Sequence, residues 1–209
     1  LVLGNAIDIL ERAKVSATWF ATHATPLLQR IKENPRFELA AHPNFNPLLD
    51  GEAVSGQSWR DIMQNLLEII PQPTAFRSHS LAQSTKILQA LPEFGITHDA
   101  NNFIPTQAGI ELKPWRLWNN IIRVPFGWED DLYCLYHRQP PIEAVLAQAG
   151  LKMFDFHPIH LFLNTEDMAR YESARPYFQQ PEKLMNVKGN SAEGAAACLS
   201  RLLEQIGCA

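Results

Sequence analysis

Apolar and polar positions along this chain fall into short blocks whose period switches repeatedly between helical and extended. Ile9, Leu10 and Ala13 share one face of a helix over about residues 5–13, and VSATWFAT (15–22) then predicts a buried strand that ends at His23. A helix over 26–33 follows, broken by Asn34 and Pro35, and the strand FELAA (37–41) runs out at His42. Ser58 with Asp61 three residues on predicts a capping box, and Trp59, Ile62, Met63, Leu66 and Ile70 line the helix until Pro71 and Pro73 stop it.

The second half repeats the alternation. The strand 74–76 leads into Arg77, Ser78 and His79, and Ile87, Leu88, Leu91 and Phe94 mark a helix closed near Gly95. The next strand is predicted at 95–97, ending at His98 and Asp99, before a long polar stretch to Asn120 that a site would use. IIRVPF (121–126) is a strand ending in Gly127, Trp128, Glu129, Asp130 and Asp131. A helix over 142–148, the strand LKMFDF (151–156) ending at His157, a helix after Asn164 and a last helix from Asn190 to Ile206, capped by Asn190 and Glu193, complete the pattern. Such alternation implies a parallel α/β sheet wrapped by helices, as a barrel or an open doubly wound sheet.

Composition narrows the classes. With 209 residues and 46% hydrophobic content, the chain is expected to form one globular domain over 1–209. A net charge of −4 argues against nucleic-acid partners. Cys134, Cys198 and Cys208 are an odd count without metal-finger spacing, which fits thiols in a reducing compartment. No apolar run approaches the roughly 20 residues of a membrane span, and the start lacks a signal-peptide pattern, so a cytoplasmic protein is expected.

In parallel α/β folds the strand ends open on one face and carry the chemistry. Here those ends hold His23, His42, His79, His98 with Asp99, Trp128 with Asp130, and His157, a histidine-lined rim; His137 stands outside it. Neutral imidazole suits zinc, and a catalytic site needs three protein ligands and an open position. No GxGxxG, GxxxxGK[ST] or GxSxG occurs. Cys134, in an apolar setting, is expected in the core, and Trp115, Trp118 and Trp128 are candidates to stack on a sugar ring.

KVSATWFATH, FELAAHPNFNP, FRSHS, GITHDANNF and FDFHPIH, in that order, resemble the motifs of the NodB-type polysaccharide deacetylase superfamily, carbohydrate esterase family 4 and its relatives, and especially its WbmS-like branch. The resemblance implies an irregular (β/α) barrel and metal-dependent hydrolysis of an N-acetyl group on a sugar or surface-polysaccharide precursor. It makes His42 the first ligand of an HxxxH motif whose second position is Asn46, so His79 is inferred to supply the missing nitrogen to a divalent metal, with zinc expected. Arg77 matches the arginine that holds a catalytic carboxylate. His157 matches the general acid, with Asp130 to orient it. Trp128, His160 and His23 are left as substrate contacts. The family's aspartate motif should lie on a strand before Asn5, so a first strand is expected to be missing and the third ligand to be Asn46 or an upstream Asp. Two other readings compete: a glycan-binding protein without turnover on the same fold, and another metal-dependent barrel hydrolase or isomerase.

Overall fold

A computed structural model describes residues 1–52, 57–136 and 141–207 of the chain; His137 and Cys208 lie outside them. The protein is α/β, with a sheet dominated by parallel pairs. It divides into two compact units, Ser16–Asn102 with Lys113–Pro125, and Leu1–Val15 with Phe103–Leu112 and Phe126–Ala209.

The first of these units carries the main sheet. Its strands are β1 (Ala17–Ala21), β2 (Phe37–Ala41), β3 (Ala75–Phe76), β4 (His98–Phe103), β5 (Trp115–Arg116) and β6 (Ile122–Phe126), in spatial order β1-β2-β3-β4-β6-β5, with no closing ladder among the described residues. β1 and β2 pair in parallel over five residues, from Ala17↔Phe37 to Ala21↔Ala41. The helix Trp59–Ile69 starts as the sequence predicts: the Ser58 hydroxyl accepts from Asp61 N–H and the Asp61 carboxylate accepts from Ser58 N–H. Its Met63 packs with Phe45, Phe76, Ile87, Leu88, Leu91, Ile96 and Ile121, while Leu66 and Ile70 pack with Ala41.

The strand predicted at 95–97 is displaced. Gly95, at φ 78°, ends the preceding 3-10 turn, Ile96 is buried in the core, and the ladder begins only at His98, opposite Ala75. His98 therefore opens β4 instead of ending a strand, and its ring pairs with Thr97 Oγ1 at 2.8 Å. It does not belong to the rim. Asp99 and Asn101 take places further along β4, both buried.

The other unit holds a two-stranded parallel pair, β7 (Trp128–Glu129) and β8 (Phe154–Asp155), among helices. Phe162, Leu163, Ala174 and Leu184 form one core there, with Val2, Ile159, Tyr177 and Phe178 against it. The last helix spans Ala195–Gln205, not 190–206. Its cap comes from a distant loop: Asn164 Oδ1 accepts from Ala197 N–H at 3.1 Å, and Thr165 O accepts from Ala195 N–H at 2.9 Å.

Candidate functional site

The sheet unit gathers polar residues just past the ends of β2 and β3. The apolar run of β2 stops at His42, whose N–H still donates to Ala21 O, and β3 continues through Arg77, whose N–H donates to Ala41 O. His79 N–H donates to Pro43 O at 2.9 Å, which ties the two loops together. His42 Nδ1 lies 2.7 Å from Arg77 O, so this nitrogen carries the proton and Nε2 is the one with a lone pair. The His42 and His79 ring centroids are 5.5 Å apart, edge to face.

That separation is close to the one two nitrogen ligands of one ion would have. With Zn–N of about 2.0–2.1 Å and tetrahedral angles, two imidazoles on one zinc have centroids roughly 5 Å apart. A backbone carbonyl on the second ring nitrogen is also how ligating histidines are commonly oriented. Asn46, in the position expected for a second histidine, donates from Nδ2 to Ser80 Oγ at 2.9 Å. The loop itself is strained: Ser80 and Leu81 sit at φ 53° and 54°, in the left-handed region.

A buried polar network supports these loops. Asp99 is fully buried and accepts from Arg123 Nε at 2.6 Å and from the Asn101 backbone and side-chain N–H groups at 3.1 and 2.9 Å. Asn101 Oδ1 in turn accepts from Ser78 N and Oγ, both at 2.9 Å. Arg123 also donates to Gln83 Oε1 at 2.8 Å. Arg77, 4% exposed, donates from Nε to Ala100 O at 3.0 Å and lies over the Phe20 ring. Sequence reasoning missed the roles of Asn101, Gln83 and Arg123. The available signal was a cation inside the otherwise apolar strand IIRVPF.

The other unit contains an independent cluster. Asp130 and Asp131 open the helix Asp130–Tyr136, and His157 caps the helix Pro158–Leu163. Asp130 is 1% exposed, and its two oxygens accept from His157 N–H at 2.8 Å and from the His157 ring at 2.7 Å. Burial, with a smaller push from the Asp155 charge, moves the Asp130 carboxyl up from its ordinary range against the opposing pull of His157 and His160. Burial would likewise lower His157, but the Asp130 charge and hydrogen bond, reinforced by Asp155 and Asp131, outweigh it and hold the imidazole well above its usual value. The ring is fixed through Nδ1 in surroundings that favour its protonated form, and its Nε2 lies 3.7 Å from Asp131 Oδ2 on a side chain that is 34% exposed.

Other expected contacts are placed differently. Stacking on a sugar needs an open ring face, yet Trp128 is 1% exposed and packed against Tyr133, Phe154 and Phe156. It is a buried packing residue instead. His160, also expected to touch substrate, is 2% exposed with Nε2 on Asp131 Oδ1. His23 is exposed and pairs with its neighbour Thr22 at 2.6 Å. Burial and nearby carboxylates push the Cys134 thiol up to about 12, consistent with a core cysteine.

Among the described residues, two sets of donors lie within 4.8 Å of one another: Asp130, Asp131 and His157, and Glu129, Asp155 and His157. These donor types can hold a divalent cation. Both sets share His157, whose Nδ1 and backbone N–H are bound to Asp130, so Nε2 is the nitrogen left to meet an ion or to carry a transferable proton.

The family model for WbmS-like polysaccharide deacetylases matches residues 1–175. Among solved structures, the chain is similar to WbmS of Bordetella bronchiseptica, described as a polysaccharide deacetylase involved in O-antigen biosynthesis, at 43% identity and a TM-score of 0.91. That match covers 98% of this chain and 84% of WbmS. A structure from Mycobacterium smegmatis, described as a polysaccharide deacetylase, shares 16% identity over all of this chain and 71% of its own, with a TM-score of 0.50, and bears on the fold alone. No curated protein matches the chain. Ordered motifs, the α/β sheet and the matching family model together place this chain in the WbmS-like polysaccharide deacetylase family.

Proposed function

We propose that the protein removes an N-acetyl group from a sugar of a surface-polysaccharide precursor, with a divalent metal, in the cytoplasm. The observation that carries this reading is the His157–Asp130 pair: an imidazole anchored through Nδ1 to a buried carboxylate, held protonated, with Nε2 turned away from the anchor. Amide hydrolysis consumes water and yields acetate and an amine, and the amine departs only when its nitrogen is protonated. His157 Nε2–H is the group that gives that proton. Asp130 fixes the ring's orientation and stabilises the imidazolium before transfer.

His42 and His79, with Asn46 beside them, are the residues that would hold a zinc-type ion, which supplies Lewis acidity toward an acetamide carbonyl when bound. The Asp99–Arg123–Asn101–Ser78 network keeps the His79 loop in its strained conformation, and Arg77 is fixed on Ala100 O and Phe20. The O-antigen role described for WbmS supports a surface-polysaccharide substrate here.

Acetate release from N-acetylated oligosaccharides by the zinc-loaded protein tests the activity. His157→Ala is expected to slow it by about 10²–10⁴-fold. His42→Ala and His79→Ala are expected to lower bound zinc; unchanged zinc in both variants would remove them from the ligand set. Asn46 in the second ligand position favours one competing reading, a glycan-binding protein without turnover. Retention of the same oligosaccharides with no acetate formed would establish that reading instead.

A further inference from the structure

The mechanism above leaves unused a second carboxylate beside the acid. Asp131 is 47% exposed, and its Oδ2 lies 3.7 Å from His157 Nε2, on the opposite side of the ring from Asp130. Consecutive residues on a helix diverge by about 100°, which is how neighbours Asp130 and Asp131 reach different nitrogens of one imidazole. Asp131 is not left to rotate: its Oδ1 is bound by Nε2 of His160, which is 2% exposed.

His160 is itself immobilised. It lies three residues from His157, one helical turn away, with ring centroids 5.8 Å apart at 89°, and it packs on the Tyr171 ring at 5.1 Å. Its Nδ1 is buried with no partner among the described residues. A bare lone pair costs less there than an orphaned N–H, so Nε2 carries the hydrogen and donates to Asp131. This fixes Asp131 Oδ1 and aims Oδ2 at the one nitrogen of His157 that Asp130 does not touch.

We propose that Asp131, pinned by His160, is a positioning residue of the acid site that holds the transferable proton on His157 Nε2. The inference rests on the reading of His157 as general acid. Among the described residues, the charged and titratable groups facing His157 are Asp130 and Asp131 from the helix Asp130–Tyr136, Glu129 from β7, Asp155 from β8 and His160 from its own helix. Of these, Asp130 orients the ring through Nδ1, whereas Asp131 acts at the nitrogen that must lose its proton to the amine. Its carboxylate favours the imidazolium before transfer; once the proton has passed to the nitrogen, His157 is neutral and the C–N electron pair leaves with the amine.

The test uses the full chain with isotope-labelled histidine. Asp131→Asn is expected to lower the His157 midpoint in an NMR titration by roughly one pH unit, the lower end of the effect of an opposite charge, because the carboxylate is half exposed. His160→Ala is expected to move it the same way by less, and Asp131→Glu to restore most of it. The alkaline limb of kcat/KM is expected to move with the midpoint while KM and the rate at low pH stay near wild type. A midpoint unmoved by Asp131→Asn overturns the proposal. So does a uniform loss at every pH with a raised KM, which makes Asp131 a substrate contact, or loss of a bound divalent ion in Asp131→Asn, which makes it a ligand. The NMR arm needs no turnover, so absence of acetate release from the wild type sinks the deacetylase reading while the titration still decides the role of Asp131.

Discussion

Single residues settle much of the chemistry by how they are satisfied. Asp99 is buried, and Arg123 balances its charge while donating to Gln83. Replacing Arg123 with Met leaves a buried carboxylate without its cation, and such losses cost about 3–5 kcal/mol. Urea denaturation of Arg123→Met is expected to show a loss of that size, whereas Asp99→Asn with Arg123→Met together is expected to recover part of it, because no charge is then stranded. Cys134 gives a second expectation at this scale. Its thiol, buried and pushed up to about 12, is expected to resist alkylation in the native protein at neutral pH and to react once the chain is unfolded. Thiol labelling with and without denaturant measures this.

Elements differ in where their ends are decided. The helix Trp59–Ile69 carries its start in the local Ser58–Asp61 pair, and Ser58→Ala is expected to cost about 1 kcal/mol, read as a shift in the urea midpoint. The helix Ala195–Gln205 does not carry its own start. Asn164, itself at φ 50°, supplies the cap, and Gly194 lies so close that a Cβ there would fall 2.3 Å from Asn164 Oδ1 and 2.4 Å from Asn164 O. Gly194→Ala must therefore displace Asn164 and lose the Ala197 cap. A destabilisation of about 1–3 kcal/mol is expected, with amide exchange rising first at residues 195–198. Asn190 and Glu193 looked like a cap pair because they have the right residue types. The close approach of Asn164, about thirty residues upstream, overrides that local signal.

At the scale of the whole molecule, pH enters through His157. Its native value is raised, so the folded state binds a proton more tightly than the unfolded chain does. The stabilisation is fully present below the unfolded value of about 6.5 and is lost as pH rises through the native value. Urea midpoints measured from pH 5 to pH 9 are expected to decline above that unfolded value, and His157→Gln is expected to flatten this part of the profile. Among the described residues no helix is long and apolar enough to cross a membrane. By itself the sequence determined the alternation of strands and helices, the ends of β2 and the Ser58 cap, because hydrophobic period, breakers and short-range hydrogen bonds act within a few residues. It also determined that His42 and His157 follow strands, though not that His98 opens one, and its ordered motifs pointed to the family. Only the tertiary structure decided what those side chains do. Trp128 became a buried packing residue instead of a platform, His160 a clamp on Asp131, and Arg123 the counter-ion of Asp99. Burial and partner distance depend on residues 20 to 40 positions away, and they set both proton affinity and exposure, so no local pattern could encode them.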